Sequence, residues 1–309
     1  MATKYTNDIK MLALEKYYKG QHPVEISREM GINKGTIWTW IYNPAPIQRE
    51  PSTFWTKEEE EFLKQHYSSM SKDEILEYLP DKTRKVLTYK VESMGLRKPP
   101  VRSVLDFSCI DSEEKAYIVG FLAADGCISK PKKRNYRISL EISTKDEEHL
   151  CLIRDLLAPN AKISYRKSRD MCSFSFVDPQ MTRCLFELGV VPNKTSCIQP
   201  PTKISDNYLR HYIRGYLDGD GCIRVNSNKL VCIFVGQEQL LSFINNKFSQ
   251  LYKHNCNIRK GKGNFSYLEY GHLTAYRFCE WVYNESKIHL DRKYRIFEKW
   301  RLNRNECVH

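Results

Sequence analysis

Apolar side chains recur at helical spacing in the first 45 residues, which predicts a bundle of three short helices. Their expected bounds are residues 8–19, 23–30 and 33–42. The side chains expected to face inward are Ile9, Leu12, Tyr17, Ile37 and Ile41. Pro23 suits the first turn of the second helix, since it lacks the N–H that would be unpaired there. Gly31 then makes a tight turn, so the spacing is that of a helix-turn-helix unit.

A second helical block lies between two proline-bearing stretches, residues 43–52 and 97–102, which are typical of linkers. Its first helix is expected to be capped by Thr56, with the acids from Glu58 to Glu61 at the positive end of the helix dipole. Two more helices are predicted over residues 72–79 and 83–94. Gly95 stands just past the last one, where a helix commonly ends.

The rest of the chain contains one pattern twice, AYIVGFLAADGCI at residues 116–128 and HYIRGYLDGDGCI at residues 211–223. Each copy predicts a helix that ends near an acid, Asp125 or Asp220. After the first copy the predicted elements are a strand at 128, a strand at 136–143, a helix at 145–157, strands at 161–165 and 172–177, and a helix at 181–188. After the second they are strands at 223–225 and 230–236, a helix at 240–252, a hairpin at 257–271, and a helix at 274–283. The order is αββαββα, twice.

These patterns predict an α+β protein preceded by two small all-α modules. The expected divisions are modules at residues 1–45 and 53–97, a linker at 98–110, and two repeat domains at 111–203 and 204–309.

Small residues lie four positions apart on each repeat helix: Gly120 with Ala124, and Gly215 with Gly219. Two faces with so little side chain can press backbone to backbone. The helix ends would then meet and bring Asp125 and Asp220 side by side. Close packing alone accounts for the glycines but not for two acids at the packed ends, where the helix dipoles already disfavour negative charge. A divalent cation relieves that repulsion, and Mg²⁺ suits one or two carboxylates with phosphate oxygens.

Charge favours a polyanionic partner, because the net charge is +12 with 49 basic and 37 acidic residues. Residues 1–100 carry 16 Lys and Arg and 14 Asp and Glu, a net +2, which leaves +10 for residues 101–309. No apolar run approaches the roughly 18 residues of a membrane span, and the first twenty residues do not form a signal peptide. The 11 cysteines include no C-x-x-C pair, so we expect reduced thiols in an intracellular compartment and no secretion.

The segments IVGFLAADG at residues 118–126 and IRGYLDGDG at 213–221 resemble the LAGLIDADG motif of homing endonucleases. The resemblance implies a pseudo-twofold pair of domains whose motif helices form the interface, with two four-stranded antiparallel sheets that make a saddle on the DNA major groove. It also implies that Asp125 and Asp220 bind Mg²⁺, with Mn²⁺ as an expected substitute, for a double-strand break with four-base 3′ overhangs. The sixth motif position departs, being Ala123 in one copy and Asp218 in the other, and this does not predict inactivation.

The family also suggests a basic residue near each acid. LGVVPNKT and HLDRKY place Lys194 and Lys293 at similar distances after the two acids, with Arg292 an alternative to Lys293 as a catalytic residue. Further basic residues in or beside the predicted strands are expected to meet DNA, although some must point to solvent because strand neighbours alternate faces. They are Arg137, Lys162, Arg166, Lys167, Arg169, Arg224, Lys229, Arg259, Lys260 and Lys262.

The two amino-terminal blocks also carry resemblances. The first is similar to the helix-turn-helix module of resolvases and bacterial regulators, which implies that Lys34, Thr36 and Thr39 approach the major groove. The other block resembles a Myb/SANT module, and the candidate DNA-facing residues are Arg84, Lys85, Tyr89 and Lys90. The alternatives are a trihelical unit that never touches DNA and a solvated polar face.

The leading hypothesis is a monomeric, Mg²⁺-dependent endonuclease that cuts a long double-stranded DNA site and spreads a mobile intron or its own free-standing gene. One rival is a non-cutting DNA-binding regulator on the same fold, against which the retention of Asp125 and Asp220 argues. A second rival is an intron-splicing maturase, which the sequence leaves open. No protein-splicing segment is evident, so an intein origin is less expected.

Overall fold

The computed structural model describes residues 5–42, 54–130, 135–192, 198–254, 256–261, 263 and 265–306. The chain divides into two compact units, Met1–Pro99 and Pro100–His309. In the described part of the chain, no helix is long and apolar enough to cross a membrane. The described cysteines are all free thiols.

The first module is a three-helix bundle with a small core. Its helices are α1 (Asn7–Tyr18), α2 (Pro23–Met30) and α3 (Lys34–Tyr42). Ala13, Ile26, Ile32 and Ile37 form the buried core. The predicted inward positions Ile9 and Leu12 are wrong, since they are 36% and 48% exposed while Ala13 and Leu14 are buried. The apolar residues of α1 are compatible with two rotations of the helix about its axis. In the structure the small Ala13 faces the core that α1 shares with α2 and α3, where its size lets the helices approach closely.

The second module has the three predicted helices, α4 (Lys57–His66), α5 (Lys72–Tyr78) and α6 (Arg84–Ser93). The predicted cap is confirmed, because Thr56 Oγ1 accepts from Glu59 N at 3.2 Å and Glu59 Oε2 accepts from Thr56 N at 2.8 Å. Ser71 and Glu74 form a second capping box at α5. Gly95 follows α6 with a φ of +66°, the left-handed conformation that ends many helices.

The second unit holds the αββαββα pattern twice, as predicted. The first half contains α7 (Glu113–Ala124), β1 (Gly126–Ser129), β2 (Arg137–Ser143), α8 (Glu147–Leu157), β3 (Ser164–Arg166), β4 (Met171–Phe176) and α9 (Pro179–Glu187). The second contains α10 (Asp206–Asp220), β5 (Cys222–Asn226), β6 (Lys229–Gly236), α11 (Glu238–Tyr252), β7 (Ile258–Lys260), β8 (Ser266–Gly271) and α12 (His272–Tyr283). An additional helix, α13 (Asp291–Glu306), follows.

Each half builds one four-stranded antiparallel sheet, in the orders β1-β2-β4-β3 and β5-β6-β8-β7. One face of each sheet is covered by helices: α8 packs on β2 and β4, while α11 and α12 pack on β6 and β8. Strand burial therefore alternates, as β4 shows with buried Cys172, Phe174 and Phe176. The opposite face of each sheet remains open, which is the arrangement of an antiparallel sheet with one buried side.

Candidate functional site

The two repeat helices, α7 and α10, cross in direct backbone contact. A methyl group added at Gly120 would lie 2.0 Å from the carbonyl oxygen of Tyr212, and one at Gly215 would lie 2.1 Å from that of Tyr117. Real Cβ atoms do not approach oxygen so closely, so only glycine is compatible with this crossing. Nearer the helix ends, a methyl group at Gly219 would lie 2.3 Å from the Cβ of Ala124.

This crossing places the two motif acids together. Asp125 is the residue that caps α7, and Asp220 is the last residue of α10. A methyl group at Gly219 would also lie 3.3 Å from Asp125 Oδ2, so the Asp125 carboxylate lies against the last turn of α10. Both acids also raise the pKa of the buried phenol of Tyr216, after the larger effect of burial itself. Two carboxylates therefore stand at adjoining helix carboxyl termini.

Asp218, the motif residue that is Ala123 in the first copy, is buried between the halves. Its Oδ2 accepts hydrogen bonds from Tyr117 Oη at 2.8 Å and from Leu290 N at 2.8 Å, and its Oδ1 accepts from Tyr283 Oη at 2.6 Å. Burial raises the pKa of Asp218, and the hydrogen bond from Tyr283 opposes that shift. Asp218 therefore ties α10 to α7, to α12 and to the segment that leads into α13.

The same network sets the protonation of a buried histidine. His149 Nε2 lies 2.9 Å from Tyr117 Oη. Because Tyr117 donates its single hydroxyl proton to Asp218, the oxygen of Tyr117 must accept from His149, and the histidine is protonated on Nε2. Burial lowers the pKa of His149 to about 4, so the ring is neutral at pH 7.

A buried ion pair joins the amino-terminal end of α7 to α10. Arg214 is 0% exposed, and its Nη2 donates to Glu113 Oε1 at 2.6 Å. Its Nε donates to the carbonyl oxygen of Ile288 at 2.9 Å and its Nη1 to that of Val282 at 2.8 Å, and Nη1 also lies 2.8 Å from His211 Nδ1. Every polar end of this cation thus has a partner, which a buried charge requires.

The predicted basic residue Lys293 lies at the end of α10 and is 4% exposed. Its Nζ lies 2.6–3.1 Å from the carbonyl oxygens of Leu217, Asp218, Gly219 and Gly221, which share its three N–H donors. Burial lowers the pKa of Lys293, and the negative charge of Asp218 opposes that effect. The alternative residue, Arg292, instead pairs with Asp146 of the first half, Nε to Oδ1 at 3.1 Å and Nη2 to Oδ2 at 3.0 Å. Lys194 lies outside the described residues.

A cleft of about 260 Å³ opens beside Asp220. It is lined by Ala123, Ala124, Ile198, Tyr216, Asp220, Val235, Gly236, Gln237 and Phe265. Sequence reasoning missed Gln237, which directly follows β6, and it also missed the roles of Asp218 and Arg214. A signal existed for the last two: both lie within one turn of Gly215, on the part of α10 expected to pack on α7, and a charged residue buried in such an interface needs a polar partner.

The donor set at the helix ends fits a hydrated Mg²⁺ ion. Among the residues that the structure describes, no group of three or more His, Cys, Asp or Glu side chains could hold a metal. Asp125 and Asp220 are a pair of hard oxygen donors, which is the number that Mg²⁺ commonly takes from protein when substrate phosphates and water supply the remainder. The fit is to an ion shared with a phosphate backbone and not to a closed protein cage.

Five of the predicted basic strand residues lie on the open sheet faces. Each of the five either pairs in register with an open-face residue or has buried neighbours on its own strand, which places its side chain on the open face. The five are Arg137, Arg166, Arg224, Lys229 and Arg259. Lys260 pairs in register with the buried Ser266 and therefore belongs to the opposite face. Lys162, Lys167 and Arg169 are exposed outside the strands, and Lys262 lies outside the described residues.

In the amino-terminal unit, Lys34 and Thr39 are exposed on α3, while Thr36 is half-buried. On α6, Lys85 is exposed and Tyr89 is 64% exposed. The other two predicted residues are in ion pairs, Arg84 with Asp73 at 2.6 Å and Lys90 with Glu60 at 2.5 Å.

No family model matches the sequence, and no curated protein matches it. The chain is similar to solved LAGLIDADG structures over about three fifths of its length. They include the meganuclease I-AabMI bound to uncleaved DNA, with a TM-score of 0.45, 13% identity, and coverage of 62% of this chain and 90% of that chain. The homing endonuclease I-LtrWI bound to target DNA has a TM-score of 0.41 and 15% identity, with coverage of 63% of this chain and 91% of that chain. The homing endonuclease I-GzeII in complex with its DNA target has a TM-score of 0.43 and 11% identity, with coverage of 60% of this chain and 88% of that chain. At these values the likeness by itself assigns neither a family nor an activity.

Proposed function

We propose that this chain is a site-specific endonuclease of the LAGLIDADG homing type, which makes a double-strand break in a long DNA site. The observation that carries the proposal is the meeting of Asp125 and Asp220 at the ends of two glycine-packed helices. Close packing requires the glycines but not the acids, and a bound cation would relieve the mutual repulsion of the two acids.

The residues around the two acids support this chemistry. Asp125 and Asp220 would hold Mg²⁺, or Mn²⁺ in its place, and the bound ion would polarise a scissile phosphate and lower the pKa of a water molecule. The α7–α10 crossing keeps both carboxylates in place without flexible loops. Lys293 binds the carbonyl oxygens at the end of α10, so its positive charge offsets the negative end of the helix dipole beside Asp220. Catalytic roles for Lys293 and Lys194 remain predictions.

Double-stranded DNA is the proposed partner of the two open sheet faces. The five basic residues there, with the net +10 of residues 101–309, would meet phosphates and guanine edges. One acid from each half would serve one strand, and we propose four-base 3′ overhangs by resemblance to the family. The helical modules would lengthen the site, with Lys85 and Tyr89 better placed for DNA than the ion-paired Arg84 and Lys90.

The test is cleavage of a randomised duplex library by the full chain with Mg²⁺, followed by mapping of the cut ends. On a selected site, Asp220→Asn is expected to lower the cleavage rate by more than about 100-fold, because it removes a carboxylate that would hold the metal ion, and the ion would stabilise the negative charge of the transition state. Its DNA affinity without Mg²⁺ should stay within a few fold. The matched control is Asp206→Asn at the other end of α10, where the side chain is 79% exposed.

Cleavage by Asp220→Asn at the wild-type rate would refute the metal-binding role. Specific binding by the wild-type chain with no cleavage under any divalent cation would favour a non-cutting regulator. Splicing of a flanking intron by the purified chain, without DNA cleavage, would favour a maturase.

A further inference from the structure

The central strands of the two sheets differ in what they present on the open face. Strand β2 alternates as expected for a sheet with one covered side, and its open-face residues are Arg137, Ser139, Glu141 and Ser143. Strand β6 does not alternate in polarity, and its open-face residues are Lys229, Val231, Ile233 and Val235. The second sheet therefore carries a row of three half-buried, β-branched apolar side chains where solvated polar residues are usual.

The strand register shows what surrounds this apolar row. Arg224 of β5 lies opposite Val231, and Cys222 lies opposite Ile233. On the other side, Tyr267 of β8 lies opposite Val235 and is 41% exposed, and it pairs in turn with Arg259 of β7. The centre of the open face is this apolar row, with the exposed Glu269 of β8 opposite Ile233, while Arg224, Lys229 and Arg259 stand around it.

The row also begins at the candidate site. Val235 lines the cleft that contains Asp220, and the strand runs outward from there to Lys229 at the hairpin. The surface has an apolar row along its central strand, three basic residues and one acid, Glu269, around that row, and continuity with the proposed cleavage site, and this combination fits the major groove of DNA. The one apolar group exposed in that groove is the C5 methyl of thymine, which aliphatic side chains contact.

We propose that the second sheet reads thymine methyl groups through Val231, Ile233 and Val235, so that one half of the target is rich in thymine and the other is read mainly by hydrogen bonds. This inference rests on the proposed function and names the substrate of the same site. Alternate residues on a strand are about 6.6 Å apart, close to two base steps of about 3.4 Å. The thymines should therefore recur about every second base pair in the half-site, starting beside the cut.

In the first sheet, the polar side chains orient one another. Arg137 Nη1 donates to Ser175 Oγ at 3.1 Å, and Arg166 Nη1 pairs with Glu141 Oε1 at 3.2 Å. Arginine and glutamate held in this way suit guanine and cytosine edges. The two halves of the target should therefore differ in composition, although the two sheets share one topology.

The test uses the full chain and a duplex selected from a randomised library by binding without Mg²⁺. Thymines are then replaced by deoxyuridine in one half-site at a time, which removes only the methyl groups. Each replacement facing the second sheet should weaken binding about 3- to 5-fold, as expected for one buried methyl-sized group. Replacements in the other half should change affinity by less than about 2-fold per base.

Variants then assign the effect to the sheet. Ile233→Thr keeps a β-branched side chain but replaces the ethyl branch with a hydroxyl, so it should weaken binding to the thymine duplex and abolish the penalty for deoxyuridine at one position. The matched control is Ser139→Ala on the open face of β2, which should leave every deoxyuridine penalty unchanged.

Several outcomes would overturn the inference. Equal deoxyuridine penalties in both halves, or none in either, on a duplex that the chain still cuts would refute thymine reading and leave the proposed function standing. Failure to bind or cut any duplex would refute the proposed function itself. Sedimentation of the same samples would reveal the other occupant of this face, a second copy of the chain, if Ile233→Thr dissociated an oligomer instead of changing DNA binding.

Discussion

The absence of a side chain matters most at two positions, Gly120 and Gly215. At each, the nearest obstruction is the backbone of the facing helix, which cannot move aside as the end of a flexible side chain can. Alanine normally favours a helix over glycine by about 1 kcal/mol, but this gain is smaller than the clash it would create here.

Gly215→Ala is therefore expected to lower the free energy of unfolding by about 3 kcal/mol, the upper end of the range of about 1–3 kcal/mol that overpacking typically costs, because the obstruction here is backbone. Urea denaturation measures the effect. Gly271→Ala is the control, because a methyl group there meets nothing within 4 Å; Gly271 is the N-cap of α12, where alanine is less favourable, so the variant should cost no more than about 1 kcal/mol. Equal losses from the two variants would contradict the close helix crossing.

His149 gives the stability of the protein a pH dependence. Burial lowers its pKa from 6.5 to about 4, so the unfolded chain binds a proton between these values while the folded chain does not. The folded state is thus fully favoured above pH 6.5 and loses stability as the pH falls toward 4. The loss attributable to this residue is about 3 kcal/mol, at about 1.4 kcal/mol for each pKa unit.

We expect the urea concentration at the denaturation midpoint of the wild-type chain to decrease as the pH is lowered from about 6.5 to about 4.5. His149→Gln should show a shallower slope, because glutamine can still donate to Tyr117 but does not titrate. His254→Gln replaces an exposed histidine and should keep the wild-type slope. The His211 pKa is also lowered to about 4 by burial, so some slope should remain in His149→Gln. Identical slopes in wild type and His149→Gln would show that His149 is not buried neutral.

Among the secondary structure elements, α10 makes contacts that α7 does not. Both carry the motif, but only α10 has an acid at the sixth position, and this acid joins three other segments. The segment held at Leu290 leads directly to Arg292 and Lys293, so Asp218 also fixes the start of α13 at the end of α10.

Asp218→Asn is expected to cost about 3 kcal/mol of stability, because an amide nitrogen cannot accept the hydrogen bonds that one carboxylate oxygen accepts, and buried donors lose their partner. Thermal and urea unfolding check this value. Asp206→Asn alters an exposed ion pair on the same helix and should cost less than about 1 kcal/mol. A cost for Asp218→Asn as small as that for Asp206→Asn would argue against the buried network.

For the molecule as a whole, the division at Pro99 and Pro100 separates cores that do not share residues. The helical modules are each closed by a few apolar side chains, whereas the repeat domains share one large core across the helix crossing. Deleting the first unit should therefore leave the fold of the second intact.

Deletion of residues 1–99 is expected to weaken binding to the target and to make it less dependent on salt. The slope of log affinity against log salt should fall by about 0.9 for each DNA phosphate that the protein no longer neutralises. The single-turnover cleavage rate at saturating protein should remain near that of the full chain. Lys85→Ala in the full chain removes one candidate phosphate contact, so it should lower the slope by about 0.9. Unchanged affinity and slope after the deletion would remove the DNA-binding role proposed for the modules.

Local patterns sufficed to predict most of the architecture. The two motif copies, the alternation in strands such as β2, and the cap at Thr56 depend on residues a few positions apart, so each can be read along the chain. The αββαββα order and the pairing of Asp125 with Asp220 followed from these patterns, because a repeated helix with a glycine face has an obvious partner in its own copy.

Tertiary packing settled the features that lack a local pattern. Asp218 meets a tyrosine 101 residues before it and an amide 72 residues after it, and the Arg214–Glu113 ion pair also spans 101 residues. The phase of α1 and the burial of Lys293 depended on neighbours in the same way. A residue's identity constrains the partners it needs, but a long-range hydrogen bond forms only where the packed core brings donor and acceptor within about 3 Å, and that distance has no counterpart in the order of residues.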